Sequence, residues 1–243
     1  MRRRFVKSVL AAGALIASAV VPVVTASSSS ASSAQWAGAS RFIASPAIVS
    51  APSINCTTTI TGPITFGAVV VPPGASCSLV DVTVTGSVVV LPGGGLFVVG
   101  STIEGSLNSA RGRYIAIGNL REFGGPSQIS QIWGSVSISS TTSTPGFPTK
   151  NVICDSTFVG GVVQLTSNRA PFAVGTDPDC FYPGTSPSGD TIEHSLQITS
   201  TAGQVTVYND LIGGSLACTS NVPTPLGSGN TVLGVESGQC TGF

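Results

Sequence analysis

Charge is scarce in this chain: of 243 residues only 8% are charged, ten basic and ten acidic, and there is a single histidine and a single methionine. Aromatic residues make up 6%. Past the first 26 residues no apolar run approaches the roughly 20 residues that span a bilayer, and no stretch shows the 3.6-residue period of an amphipathic helix. No CxxC pair or Cys/His cluster is present, so a structural zinc site is not expected. No GxSxG motif accompanies the lone His194, which removes the usual signature of a serine hydrolase.

What is present at the start is MRRRFVK followed by an apolar run from Val9 to Val24, broken by Pro22, with Val24 and Ala26 as small residues. That is the layout of a secretory signal peptide over 1–26. A Ser/Ala-rich leader over 27–53 follows, then one domain over 54–243. Without Arg2, Arg3, Arg4 and Lys7 the exported chain keeps six basic side chains against ten acidic ones, a balance of −4. Nucleic acid is therefore not expected as a partner, and the mature chain is expected to be secreted, outside the cell or at its surface, with no membrane span. All six cysteines, Cys56, Cys77, Cys154, Cys180, Cys218 and Cys240, lie beyond the signal. An oxidising compartment favours disulfides, for which 15 connectivities exist.

The main feature is an internal repeat. With Gly62, Gly86, Gly105, Gly134, Gly161, His194 and Gly214 as anchors, the residue two before is always Ile or Val, and the residue two after is Ile64, Val88, Leu107, Val136, Val163, Leu196 or Leu216. Four after the anchor the row is aliphatic or cysteine apart from Phe66 and Ser109, and the position between is mostly polar or small. Alternation of this kind is a strand with one buried face. Serine follows the anchor in five of the seven copies. An eighth copy starts at Val232 and Gly234 but places Glu236 where an aliphatic residue belongs, which reads as the end of the array. Second strands, LFVVG, RYIAIG, PFAVG and QVTVY, follow behind turn formers such as Pro92–Gly95.

An antiparallel sandwich would not require equivalent residues of successive copies to touch. A parallel β-helix stacks them about 4.8 Å apart, turning each interior position into a file of like side chains. The files of Ile, Val and Leu favour a single-stranded parallel β-helix of about seven to eight coils. Cysteines about one coil apart then fall within disulfide reach, which pairs Cys56 with Cys77, Cys154 with Cys180 and Cys218 with Cys240.

The G-S-aliphatic-x-aliphatic phrase over Cys56 to Cys240 resembles the right-handed parallel β-helix proteins of the pectin-lyase-like superfamily, and more narrowly small exported actinobacterial β-helix proteins with no assigned activity. A weaker likeness connects it to the polymer-forming bactofilins, which are cytoplasmic and lack cysteines. The superfamily resemblance implies polysaccharide as a partner, and its enzymes combine clustered carboxylates, often with calcium, and a basic residue.

The carboxylates here are scattered. Asp177 and Asp179 in TDPDC, with Asp190, offer three oxygen ligands for calcium, although Asp and Pro are also ordinary formers of a polar loop. Arg111, Arg113 and Arg121 can hold an acidic sugar through bidentate guanidinium contacts, or are simply solvated. Trp133 is turned outward by the alternation and can stack on a sugar ring. His194 sits at an anchor position, where a bend accounts for it. The Thr59/Thr61 and Thr83/Thr85 pairs begin a threonine ladder that stops after two coils. The expectation is a secreted structural or adhesive β-helix without catalysis or cofactor, self-association being left open. The rival is a polysaccharide lyase, hydrolase or glycan-binding module whose site lies in the insertions around 110–130 and 140–190.

Overall fold

The computed structural model describes residues 51–118, 120, 129–146, 148–178 and 188–243. The predicted signal peptide, the leader as far as residue 50, Arg121, Asp179 and Cys180 lie outside them. The described residues fall in the compact unit Ile48–Phe243. They form three all-parallel sheets of nine, eight and eight strands, in which every hydrogen-bonded neighbour is the strand three further along the chain. This is the expected parallel β-helix, right-handed as parallel crossovers are. Each coil contributes one strand to sheet A, one to sheet B and one to sheet C. Coil 1 runs through Ile54–Asn55, Thr59–Thr61 and Thr65–Phe66. Later coils start in sheet A at Val69, Val88, Leu107, Val136, Val163, Leu196 and Leu216, and Glu236–Gly238 opens a ninth. Eight complete coils are therefore present.

Register follows the aliphatic files. Val88 pairs with Leu107, Leu107 with Val136, and Leu196 with Leu216, all fully buried. In sheet C, Val84, Ile103, Ile132, Val159, Ile192 and Ile212 form the second file. Sheet B supplies Leu79, Val98, Ile117, Ile153, Val174 and Val207 as a third. One sequence alignment is corrected. Ile60 pairs with Leu79 in sheet B, whereas Phe66 is the partner of Val84, so the first glycine of the stack is Gly67, not Gly62. Thr59 and Thr61 thus lie on a different sheet from Thr83 and do not form a ladder with it.

At each corner the backbone leaves the ladder, and N–H groups there need other acceptors. Three files of polar side chains supply them. Between sheets C and A, Oγ of Ser87, Ser106, Ser135, Ser195 and Ser215 each accepts an N–H from the coil above at 3.0–3.2 Å. This gives the serine after the anchor its purpose. Between sheets A and B, Asn168 Oδ1 accepts from Thr141 N–H at 3.0 Å, its Nδ2 donates to Ile138 O, and Asn221 repeats the pattern with Thr201 and Ile198. Between sheets B and C, Ser101 accepts from Val82, Ser130 from Gly100, Asp190 from Thr157, Asp210 from Asp190 and Asn230 from Asp210. Asn168→Ala strands a buried donor and acceptor. We expect a loss of about 3 kcal/mol, read as a shift of the urea midpoint at unchanged slope.

Two disulfides are within the interior. Cys56–Cys77, with Cα atoms 5.4 Å apart, joins coils 1 and 2, and Cys218–Cys240, at 5.3 Å, joins coil 8 to the turn that follows Glu236–Gly238. Cys154 is disulfide-bonded too, but its side chain belongs to a second apolar layer on the outer face of sheet B, with Val80, Val99, Ala116, Leu120, Val152 and Ala173. Sheet B is thereby covered on both faces in its middle coils. At the C-terminal edge Gly227 stands in register with Val207, and the Phe243 ring lies where its side chain would be, closing that file.

Candidate functional site

The corner between sheets C and A is two residues long in coil 1 and three in every later coil, and most of the chain's freedom lies at the other two corners. On the A-to-B corner the first residue adopts a left-handed conformation in coil after coil: Arg111, Ser140, Ser167, Ser200 and Ser220, with φ of 60, 56, 54, 53 and 56°. Backbone hydrogen bonds from each of the first four to the residue preceding the next one up hold them in one file. The next residue, Thr141, Asn168, Thr201 or Asn221, turns inward to the polar ladder and is buried. The residue after that turns out again, giving a second external file of Arg113, Thr142, Arg169, Ala202 and Val222.

Between the two files runs a groove along the coil axis, lined by Arg111, Ser140, Thr142, Ser167, Arg169, Ser200 and Ala202. Arg111 also borders a shallower depression on the outer face of sheet A with Asn108, Ser137 and Ser139. Arg113 is not available in the same way: its Nη2 donates to Ser76 Oγ at 2.6 Å and its guanidinium lies 5.0 Å from the Tyr114 ring centre. Among the described residues the only salt bridge is Lys150–Asp177, so neither Arg111 nor Arg169 is neutralised by a carboxylate there. They stand two coils apart on opposite walls, about 10 Å along the axis. Arg169 was missed in the sequence. The repeated T-S-N or T-S-T that ends the sheet A strands, in TSNR, TSTA and TSNV, is the signal that locates the groove.

The other candidates are spread over the coil. Trp133 is 55% exposed, at the C-to-A corner, and meets Phe158 edge-on at 5.2 Å. It therefore lies away from the arginines. Asp177 is buried and held by Lys150 Nζ at 2.6 Å. Asp190 is buried in the B-to-C ladder, where its two oxygens accept Thr157 N–H and Gly175 N–H. Among the described residues no group of three His, Cys, Asp or Glu side chains is arranged to hold a metal. Asp155 and Asp177 follow sheet B in their coils whereas Arg111 and Arg113 precede it, so the acidic and basic groups do not converge. His194 Nδ1 sits 3.0 Å from Gly160 O at the exposed corner. No protein-family model, curated protein or solved structure matches the chain.

Proposed function

We propose that the chain is an exported, non-catalytic adhesive β-helix that holds an anionic polysaccharide of the cell surface or matrix in the groove at the A-to-B corner. The observation that carries this reading is the pair of uncompensated guanidiniums, Arg111 and Arg169, flanking a file of serine hydroxyls. Guanidinium binds carboxylate or sulfate in a planar, two-toothed fashion. Hydroxyls repeating about every 4.8 Å suit an extended sugar chain laid along the axis. Glycosidic cleavage needs a carboxylate pair about the scissile bond, and among the described residues that line the groove there is no carboxylate. Adhesion is therefore preferred to a lyase or hydrolase.

Affinity electrophoresis of the purified chain through gels containing polygalacturonate, alginate or neutral dextran tests the reading. The acidic gels should retard the protein and dextran should not. Arg111→Ala with Arg169→Ala should weaken retention about tenfold, about 1.4 kcal/mol shared between the two contacts, and salt should weaken it further. Equal retardation by dextran, an unaffected double variant, or the release of new reducing ends would refute it.

A further inference from the structure

The B-to-C polar ladder contains an inconsistency. Its lower rungs Ser101 and Ser130, Thr157 in the next coil and its top rung Asn230 are neutral, whereas the remaining two, Asp190 and Asp210, are acids, each about 1% exposed. The two acids are stacked: Asp190 N–H donates to Asp210 Oδ1 at 2.8 Å, and Asp210 N–H donates to Asn230 Oδ1 at 2.9 Å. Both carboxyls meet at Gly175. Its N–H donates to Asp190 Oδ2 at 3.0 Å, and its Cα faces the Asp210 carboxyl. Every partner of the pair is a neutral backbone N–H. The other charged group facing them is Asp155, which adds repulsion, while Lys150 on the neighbouring corner is taken by Asp177.

The two acids are not equivalent. Asp190 has a donor for each oxygen, Thr157 N–H and Gly175 N–H, and these favour its carboxylate. Asp210 has a donor for Oδ1 only, and its buried Oδ2 has none. One coil above, Asn230 shows what belongs in that place: its Oδ1 accepts and its Nδ2 donates to Val207 O at 3.0 Å. The residue in register with Val207 one coil below is Val174. A proton on Asp210 Oδ2 makes that oxygen a donor, and the carbonyl in the equivalent position is Val174 O.

We propose that Asp190 and Asp210 form a proton-dependent latch between coils 6 and 7, in which Asp210 stays protonated and does the work of an asparagine while Asp190 carries the charge. Losing that proton places two like charges against each other with no cation beside them among the described residues, and the C-terminal coils are weakened. Burial first, and then the Asp210 carboxyl, raise Asp190, and burial raises Asp210 from 3.8 to about 7, so the pair together keeps a proton above the ordinary carboxylate range; two backbone donors on Asp190 against one on Asp210 put that proton on Asp210. The sign follows from linkage. Between those two values the folded chain binds more protons than the unfolded one. The stabilisation is thus complete below pH 3.8, declines as pH rises, and is gone above about 7.

The test is the melting temperature of the full chain against pH, alongside Asp210→Asn. The wild type should lose about 5–10 °C relative to the variant between roughly pH 4 and pH 8. The variant keeps both hydrogen-bonding roles without the proton, so its curve should be the flatter and, at the alkaline end, the higher. A second measurement serves if the variant does not fold: the infrared carbonyl band of a protonated carboxyl in the wild type should persist at about pH 5.5, where ordinary carboxylates are ionised, and vanish by about pH 8. Parallel melting curves for the two proteins, or no such band at pH 5.5, would overturn the latch.

Discussion

Gly175→Ala is expected to yield no stably folded chain. Gly175 has φ of +84°, a region that costs a residue with a Cβ about 1–2 kcal/mol. The Cβ itself would overlap the Tyr208 carbonyl oxygen of the next coil and the Asp210 carboxyl. The first obstacle is backbone in a parallel ladder, which can yield only by separating coils 6 and 7. The second is a buried acid whose displacement breaks the Asp190 N–H bond. Together these reach about 4–5 kcal/mol or more, a large share of the 5–15 kcal/mol that domains possess. Gly74→Ala is the control: φ there is +74°, yet nothing lies within 4 Å of the added carbon. Circular dichroism and resistance to proteolysis should show Gly74→Ala folded and Gly175→Ala collapsed or degraded. Equal behaviour would mean that close packing against coil 7 is not the constraint.

Phe172→Ala is expected to cost about 3–5 kcal/mol, the range for truncating a buried ring. Phe172 is the largest fully buried side chain among the described residues, and it stands in the sheet B file between Asn151 and Val205. Asn151 beneath it is locked in place: Oδ1 accepts Ile115 N–H at 2.7 Å and Nδ2 donates to Ser143 O and Pro171 O, so it cannot move to fill the space. Phe158→Ala removes an equal ring from a half-buried place on the outer face, where it meets Trp133 edge-on, and should cost about 1 kcal/mol. Urea titrations at matched pH give both values. A Phe172→Ala loss as small as that of Phe158→Ala would show that the interior relaxes around the void.

Much of the fold was readable because period-two alternation and stacking leave the same mark in every copy. Val84, Ile103, Ile132 and Ile212 needed only to be aligned. The first copy was read out of phase because TITGPITF offers a β-branched pair on each side of Gly62, and periodicity cannot tell a sheet B strand from a sheet C strand. The double burial of sheet B was written in YIAIG, NVIC and FAVG, where no polar residue alternates, the mark of strands covered on both faces. The site was less readable. Arg111 was noticed as one of a local group, but Arg169 becomes its companion only when two further coils have been stacked. Asp190 reads in sequence as a third oxygen ligand beside Asp177 and Asp179, and nothing in the local sequence reveals that it is a rung of an internal ladder. The serine after the anchor is visible in sequence as a repeat, but its role as acceptor shows only where Ser106 N–H meets Ser87 Oγ and Ser135 N–H meets Ser106 Oγ.

The positions of Cys56–Cys77 and Cys218–Cys240 have a mechanical consequence. Tension entering from the N-terminal side reaches Cys56 and passes through sulfur to Cys77, so the intervening segment, which includes the rest of coil 1, is shunted out of the load path. The same holds for the residues between Cys218 and Cys240 at the opposite extremity. A stack pulled at its two ends would therefore be spared unravelling at the two places where it is easiest to unzip, and rupture would have to begin among coils gripped by neighbours on both sides.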